Sequence, residues 1–167
     1  AKISTGRKEN KFGVAIDQAG GILERLCALP GLNLRGIATH IGSQLFALAP
    51  LEAAYGKIGA LMGELRAAGH SIDRIDLGGG LGVPYERTKV PPTPADYGAM
   101  VERATKGWDV TLYFEPGRVI VGNAGVLLTR VIWVKPGVIR PYVIVDAAMN
   151  DLARPAMYDA FHDFEAV

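Results

Sequence analysis

The stretch Ile72-Asp73-Arg74-Ile75-Asp76-Leu77 runs without a break into Gly78-Gly79-Gly80-Leu81-Gly82, and its reading decides the fold. Ile72–Leu77 is short and closed by glycine, and reads as a buried strand. Upstream, Pro50 opens a helix where its missing N–H costs nothing. Leu51, Ala54, Tyr55, Ile58, Leu61, Met62 and Leu65 then recur at helical spacing until Gly69. Downstream, Thr93-Pro94-Ala95-Asp96 is a capping box, followed by Tyr97, Met100, Val101 and Ala104 before Gly107 stops the run. Phe12–Ile16, Leu34–His40 and Val110–Glu115 carry the same buried-strand character. Asp17–Leu29 sets Ile22, Leu23, Leu26 and Cys27 on one helical face before Pro30-Gly31. Strand and helix thus alternate with short connections. That order predicts an α/β fold with a parallel sheet, either open and doubly wound or part of a (β/α)8 barrel.

After Arg118 the texture changes. Val126–Val134 and Tyr142–Val145 read as strands joined by a turn at Lys135-Pro136-Gly137, with no helix between them. Such antiparallel texture places a domain boundary near Val121–Asn123, dividing the chain into residues 1–121 and 122–167. A complete barrel takes about 250 residues, so four βα units amount to half of one. Half a barrel leaves two open strand edges and an uncovered core. Either the sheet is open or the chain is a piece of something longer.

Bulk properties exclude several classes of function. The 167 residues are 49% hydrophobic and 21% charged, ordinary for a globular protein. A net charge of +1 supplies no field to recruit nucleic acid or an acidic membrane. No apolar run approaches the ~20 residues of a membrane span. The opening Ala1-Lys2-Ile3-Ser4-Thr5-Gly6 has neither an initiator Met nor the apolar core of a signal peptide. One cysteine, Cys27, excludes an internal disulfide and fits a reducing cytosol. Its position in a helical pattern makes it structural.

Chemistry concentrates where strands end. Leu34–His40 runs into His40-Ile41-Gly42-Ser43-Gln44, Ile72–Leu77 into the glycine run, and Val110–Phe114 into Glu115-Pro116-Gly117-Arg118. In parallel α/β architecture the carboxyl ends of the strands open on one face, so the three segments point into one site. Gly78-Gly79-Gly80 lets backbone N–H groups crowd around an anion such as phosphate, or else makes a tight strand-to-helix turn. No Gly-Lys-Ser/Thr follows it, and its spacing is not that of a dinucleotide fingerprint. Glu115 and Arg118 form either a local ion pair or two separate groups of a site. His40 suits a packed core as well as a site, and Ser43 caps a helix or donates to phosphate. Arg154 and Tyr158, four apart, offer a guanidinium and a phenol on one helical face. They serve a substrate carboxylate, or the arginine simply packs over the ring.

Taken together, Lys11-Phe12-Gly13, His40-Ile41-Gly42-Ser43-Gln44, Asp76-Leu77-Gly78-Gly79-Gly80-Leu81-Gly82 and Glu115-Pro116-Gly117-Arg118 stand in the order seen in the group IV, fold-type III pyridoxal-phosphate decarboxylases, and the whole chain resembles that family. Asp146-Ala147-Ala148-Met149-Asn150-Asp151 running into Arg154-Pro155-Ala156-Met157-Tyr158 is similar to the diaminopimelate decarboxylase branch. Ornithine and arginine decarboxylases share the earlier motifs and differ in this last stretch.

The resemblance implies the C-terminal half of an alanine racemase-like (β/α)8 barrel, followed by the start of a β-sandwich-like domain. It implies pyridoxal 5'-phosphate as cofactor, no metal, and decarboxylation of meso-2,6-diaminopimelate to L-lysine and CO2 by a cytoplasmic homodimer. His40 would stack on the pyridine ring and Glu115 pair with its nitrogen. Ser43, Gly79, Gly80, Gly117 and Arg118 would hold the phosphate, and Arg118, Arg154 and Tyr158 would contact the substrate. An ornithine- or arginine-type decarboxylase of the same family, or a noncatalytic protein that binds the cofactor, is the alternative.

Two parts of the family pattern are missing. The Schiff-base lysine of this family sits in a Tyr-Ala-x-Lys-Ala-Asn-like segment on the first barrel strand, and none of Lys2, Lys8, Lys11, Lys57, Lys89, Lys106 or Lys135 has that context. A cysteine and a tyrosine from the later part of the family's chain are absent too. These 167 residues alone are therefore expected not to turn over substrate.

Overall fold

A computed structural model of the chain describes residues 13–85 and 88–167. Three parallel strands, β1 (Gly36–Ala38), β2 (Arg74–Asp76) and β3 (Thr111–Tyr113), lie side by side in chain order. Ile37 is in register with Ile75, and Ile75 with Leu112. Helix α1 (Ala19–Cys27) precedes β1, α2 (Ala49–Ala67) joins β1 to β2, and α3 (Pro94–Ala104) joins β2 to β3.

The helices form where local chemistry demands. Pro50 lies in the first turn of α2. At α3 both halves of the capping box are made: the Asp96 N–H donates to Thr93 Oγ1 at 3.1 Å and the Thr93 N–H to Asp96 Oδ2 at 3.0 Å. Leu51, Tyr55, Ile58, Met62 and Leu65 of α2 pack on Ile72, Ile75 and Leu77, with Met100 and Val101 of α3 closing the core. Among the described residues the sheet is covered on this face alone. Thr111 and Tyr113 are exposed on the other, although parallel sheets are ordinarily covered on both.

Of the strand expected at Phe12–Ile16, Phe12 lies outside the described residues and the remainder is not a strand. Gly13 takes φ +69°, a left-handed value that breaks an extended path, and Ile16–Gln18 coil into a 3-10 turn leading to α1. The other three strands sit where they are expected but are shorter.

At the amino ends of the strands, Arg66 in the last turn of α2 ties three carbonyls together. Its Nε and Nη2 donate to Ile72 O at 3.2 and 2.7 Å, Nη1 to Trp108 O at 2.6 Å, and Nη2 to Asp109 O at 3.0 Å. Charge-assisted bonds contribute more than neutral ones, and a methionine here would leave those acceptors to water. Arg66→Met is expected to destabilise the protein by about 2–4 kcal/mol, read as a lower denaturant midpoint at unchanged slope. Beside it Asp73 accepts from Arg35 and, at 2.9 Å, from Arg74 Nε; these hydrogen bonds, Arg35's first, hold its carboxyl at about 2.

Beyond β3 a four-residue helix, α4 (Arg118–Val121), runs up to the expected domain boundary. Strands β4 (Val131–Lys135) and β5 (Tyr142–Val145) then form a separate antiparallel pair. The strand expected to begin at Val126 begins at Val131. The Asp146 N–H still donates to Arg130 O at 3.1 Å, but the return bond from the Arg130 N–H goes to the Asp146 carboxylate (2.8 Å), which also accepts from Thr129 Oγ1 (2.7 Å). The short helix α5 (Arg154–Tyr158) follows. Among the described residues, no helix is long and apolar enough to cross a membrane.

Candidate active site

Backbone hydrogen bonds stitch together the three segments that leave the carboxyl ends of β1, β2 and β3. Thr39 N–H donates to Asp76 O at 2.9 Å, Leu77 N–H to Tyr113 O at 3.0 Å and Glu115 N–H to Gly78 O at 2.8 Å. Leu45 N–H reaches Gly80 O at 2.9 Å, and Gly82 N–H reaches Leu45 O at 3.0 Å. Gln44 adds a side-chain rung: its Nε2 donates to Val83 O and its Oε1 accepts from the Val83 N–H, both at 2.9 Å. Gln44 takes φ +59°, so the loop is held in a costly conformation by those two bonds. From sequence, Gln44 is assigned no role.

Gly79 and Gly80 show why this junction needs glycine. A Cβ on Gly79 would press into the Glu115 carbonyl, and one on Gly80 into the Gly42 carbonyl with Leu45 Cδ1 at 3.2 Å; Gly80 also has φ +109°. The missing side chains let one loop pass between its two neighbours.

This passage brings His40, Gly79 and Glu115 together. The Gly79 N–H donates to His40 Nδ1 at 3.3 Å, which puts the proton of a neutral ring on Nε2. Glu115 Oε2 lies 3.8 Å from the same Nδ1, beyond hydrogen-bond reach, and both side chains open to solvent (41% and 60% exposed). Gly78 N–H is taken by Asp76 Oδ1 at 2.8 Å and Gly117 N–H by Glu115 O at 2.9 Å. Among the described residues the Gly80 N–H donates to no hydrogen bond. Ser43 is half-buried in the first loop, one residue after Gly42.

A polar layer supports the glycine loop from the core. The fully buried Tyr55 donates to Leu77 O at 3.3 Å, and its hydroxyl is 2.9 Å from that of Tyr97. Burial, with Tyr97 adding, pushes the Tyr55 phenol far above its usual range, so it stays protonated and keeps that donor. Tyr97 in turn meets the Phe114 ring edge-on at 6.2 Å.

Arg118 does not pair with Glu115. Its guanidinium lies over the Tyr85 ring, 5.8 Å from the centroid, with Nη1 3.5 Å from the phenol oxygen. His162 stacks on Tyr85 at 5.9 Å and 28°. Neither Tyr85 nor His162 belongs to a motif, and only their spatial neighbours expose them. Arg154 packs over the Tyr158 ring at 4.9 Å within α5. Among the described residues, no recorded hydrogen bond or ring contact joins Arg154 or Tyr158 to His40, Glu115 or Arg118, and no cluster of acidic, His or Cys side chains could hold a metal.

Comparison with known proteins agrees on what such a junction belongs to. Residues 1–122 match the family model of the pyridoxal-dependent decarboxylases, pyridoxal binding domain. The diaminopimelate decarboxylase of Zymomonas mobilis is 51% identical over the whole chain. That of Helicobacter pylori, solved with L-lysine, superposes with a TM-score of 0.90 at 39% identity, covering 96% of this chain and 40% of that one. SrLDC, solved with PLP and cadaverine, gives 0.82 at 29% identity, covering 93% and 41%. The chain spans 40% of the length of its Zymomonas relative. With most of its length matched by that model, the chain belongs to the pyridoxal-dependent decarboxylase family.

Proposed function

We propose that the complete protein containing this stretch decarboxylates meso-2,6-diaminopimelate to L-lysine and CO2 with pyridoxal 5'-phosphate. The observation that carries this is the meeting of His40, Gly79 and Glu115 at the stitched strand ends, in a chain half identical to a diaminopimelate decarboxylase. The donor set fits the cofactor: a solvent-facing carboxylate for a ring nitrogen, an imidazole beside it, and a Gly80 N–H not otherwise engaged among the described residues. Pyridoxal phosphate supplies the electron sink for the charge left when CO2 departs.

Each residue then has a task. Glu115 holds a proton on the pyridine nitrogen, because an adjacent negative charge favours the charged form of a base. His40, its Nδ1 tied to Gly79, would stack on the pyridine ring. Ser43, the Gly80 N–H and the backbone of Arg118 would hold the phosphate, with Gly79 and Gly117, whose N–H groups go to His40 Nδ1 and Glu115 O, beside it. Arg118, Arg154 and Tyr158 would meet the carboxylate at the far end of the substrate.

We assign the parallel unit, residues 1–121, to the C-terminal half of a (β/α)8 barrel, supported by strand order that follows chain order and by a sheet face left open. Residues 122–167 begin a β-sandwich-like domain, supported by the antiparallel β4–β5 pair. The complete protein would be a cytoplasmic homodimer. The segment alone is inactive, since no lysine here has the Schiff-base context.

The test is product analysis on the complete protein with added cofactor. L-lysine and CO2 formed from meso-diaminopimelate, with ornithine and arginine poor substrates, is the expected result. Preference for ornithine or arginine overturns the substrate assignment, and cofactor binding without CO2 release overturns the reaction.

A further inference from the structure

Arg118 is anchored along its length. A Cβ on Gly122 would meet Val83 Cγ2 at 3.1 Å and Arg118 Cγ at 3.4 Å, so the arginine stem and Val83 both pack close to Gly122. Val83 is itself fixed by both amide atoms of Gln44. Two residues on, Tyr85 offers its ring to the guanidinium. At 3.5 Å the phenol contributes little as a hydrogen-bond partner, and the ring face carries the contact.

The same ring takes His162, from the chain's last stretch. His162 Nδ1 donates to Ala160 O at 3.2 Å, which steadies the imidazole, and Asp159 at φ +52° ends α5 just before it. Three remote segments therefore meet on one tyrosine. Through it, the helix bearing Arg154 and Tyr158 is tied to α4, which begins at Arg118.

We propose that Tyr85 is a positioning residue: its ring aims the Arg118 guanidinium, and its stack on His162 registers α5 against the strand-end site, so that the donors for the substrate's far end act together. Tyr85 and His162 touch no reacting atom. The proposal rests on the functional reading above, in which Arg118, Arg154 and Tyr158 contact substrate.

The experiment uses the complete protein with its cofactor. Tyr85→Leu keeps apolar bulk but removes the π face. It is expected to raise KM for meso-diaminopimelate by about fivefold to twentyfold while kcat falls less than about threefold and cofactor affinity holds. Tyr85→Phe, which loses only the long phenol contact, restores KM to within about twofold of the unmodified protein. His162→Ala raises KM in the same direction and His162→Phe restores it. A role in folding alone would lower stability and cofactor content instead of dividing KM from kcat. Turnover by the unmodified protein with Tyr85→Leu inside about twofold on KM overturns the joint and leaves the functional reading standing. Cofactor binding without any diaminopimelate turnover by the unmodified protein overturns both.

Discussion

Glu115→Gln in the complete protein is expected to cut kcat by about tenfold to a thousandfold while leaving the fold intact. A carboxylate beside a basic nitrogen raises its pKa by about 1–3 units, and the neutral amide forfeits that bias at nearly equal size. The fold tolerates the change because Glu115 serves it only through the backbone. Its N–H donates to Gly78 O and its carbonyl accepts from Gly117, while the side chain is 60% exposed. Stability should therefore move by no more than about 0.5 kcal/mol. Glu115→Asp should recover part of the rate, since the charge persists one methylene back. Measuring kcat together with cofactor absorbance separates lost chemistry from lost binding. A kcat within about threefold of the unmodified protein would mean the charge has no role, and the proposed site would fall with it.

Much of this was legible because the signals are local. Pro50 and the Thr93–Asp96 box act within one turn, so their helices begin where the residues say. The glycine run and Glu-Pro-Gly-Arg mark strand ends because backbone crowding and chain reversal restrict residue type. Strand length was harder. Apolar residues report burial, whereas a ladder ends where geometry ends it, as at Gly78 with φ +68° or at Asp146, whose side chain takes the place of one backbone acceptor. Contacts between remote segments left no local trace at all. Gln44 on Val83, Tyr55 beneath Leu77, and Tyr85 between Arg118 and His162 each depend on folds of chain that no spacing encodes. The Arg154–Tyr158 pair shows the reverse limit. Its spacing is clear, yet in this structure the two residues satisfy each other, and only the complete protein could turn them toward a ligand.

The same substitution at two glycines should have opposite signs, which separates the site's demands from those of the fold. Gly63 lies within α2 with nothing inside 4 Å of an added Cβ. Gly63→Ala removes backbone freedom from the unfolded chain without a clash, and should stabilise by about 0.5–1 kcal/mol with activity unchanged. Gly79→Ala drives a methyl into the Glu115 carbonyl, with the Glu115 carbonyl carbon at 3.0 Å. Neither backbone yields cheaply, because Glu115 N–H is bonded to Gly78 O and Gly79 N–H to His40 Nδ1. Overpacking of this kind costs about 1–3 kcal/mol. Relief by moving the third loop away displaces Glu115 from His40, so cofactor affinity should fall about tenfold to a hundredfold along with stability. Titration of cofactor into the purified variants, beside their melting temperatures, reads both quantities at once. If Gly79→Ala binds cofactor like the unmodified protein, the close passage of the glycine loop is not what holds Glu115 in place.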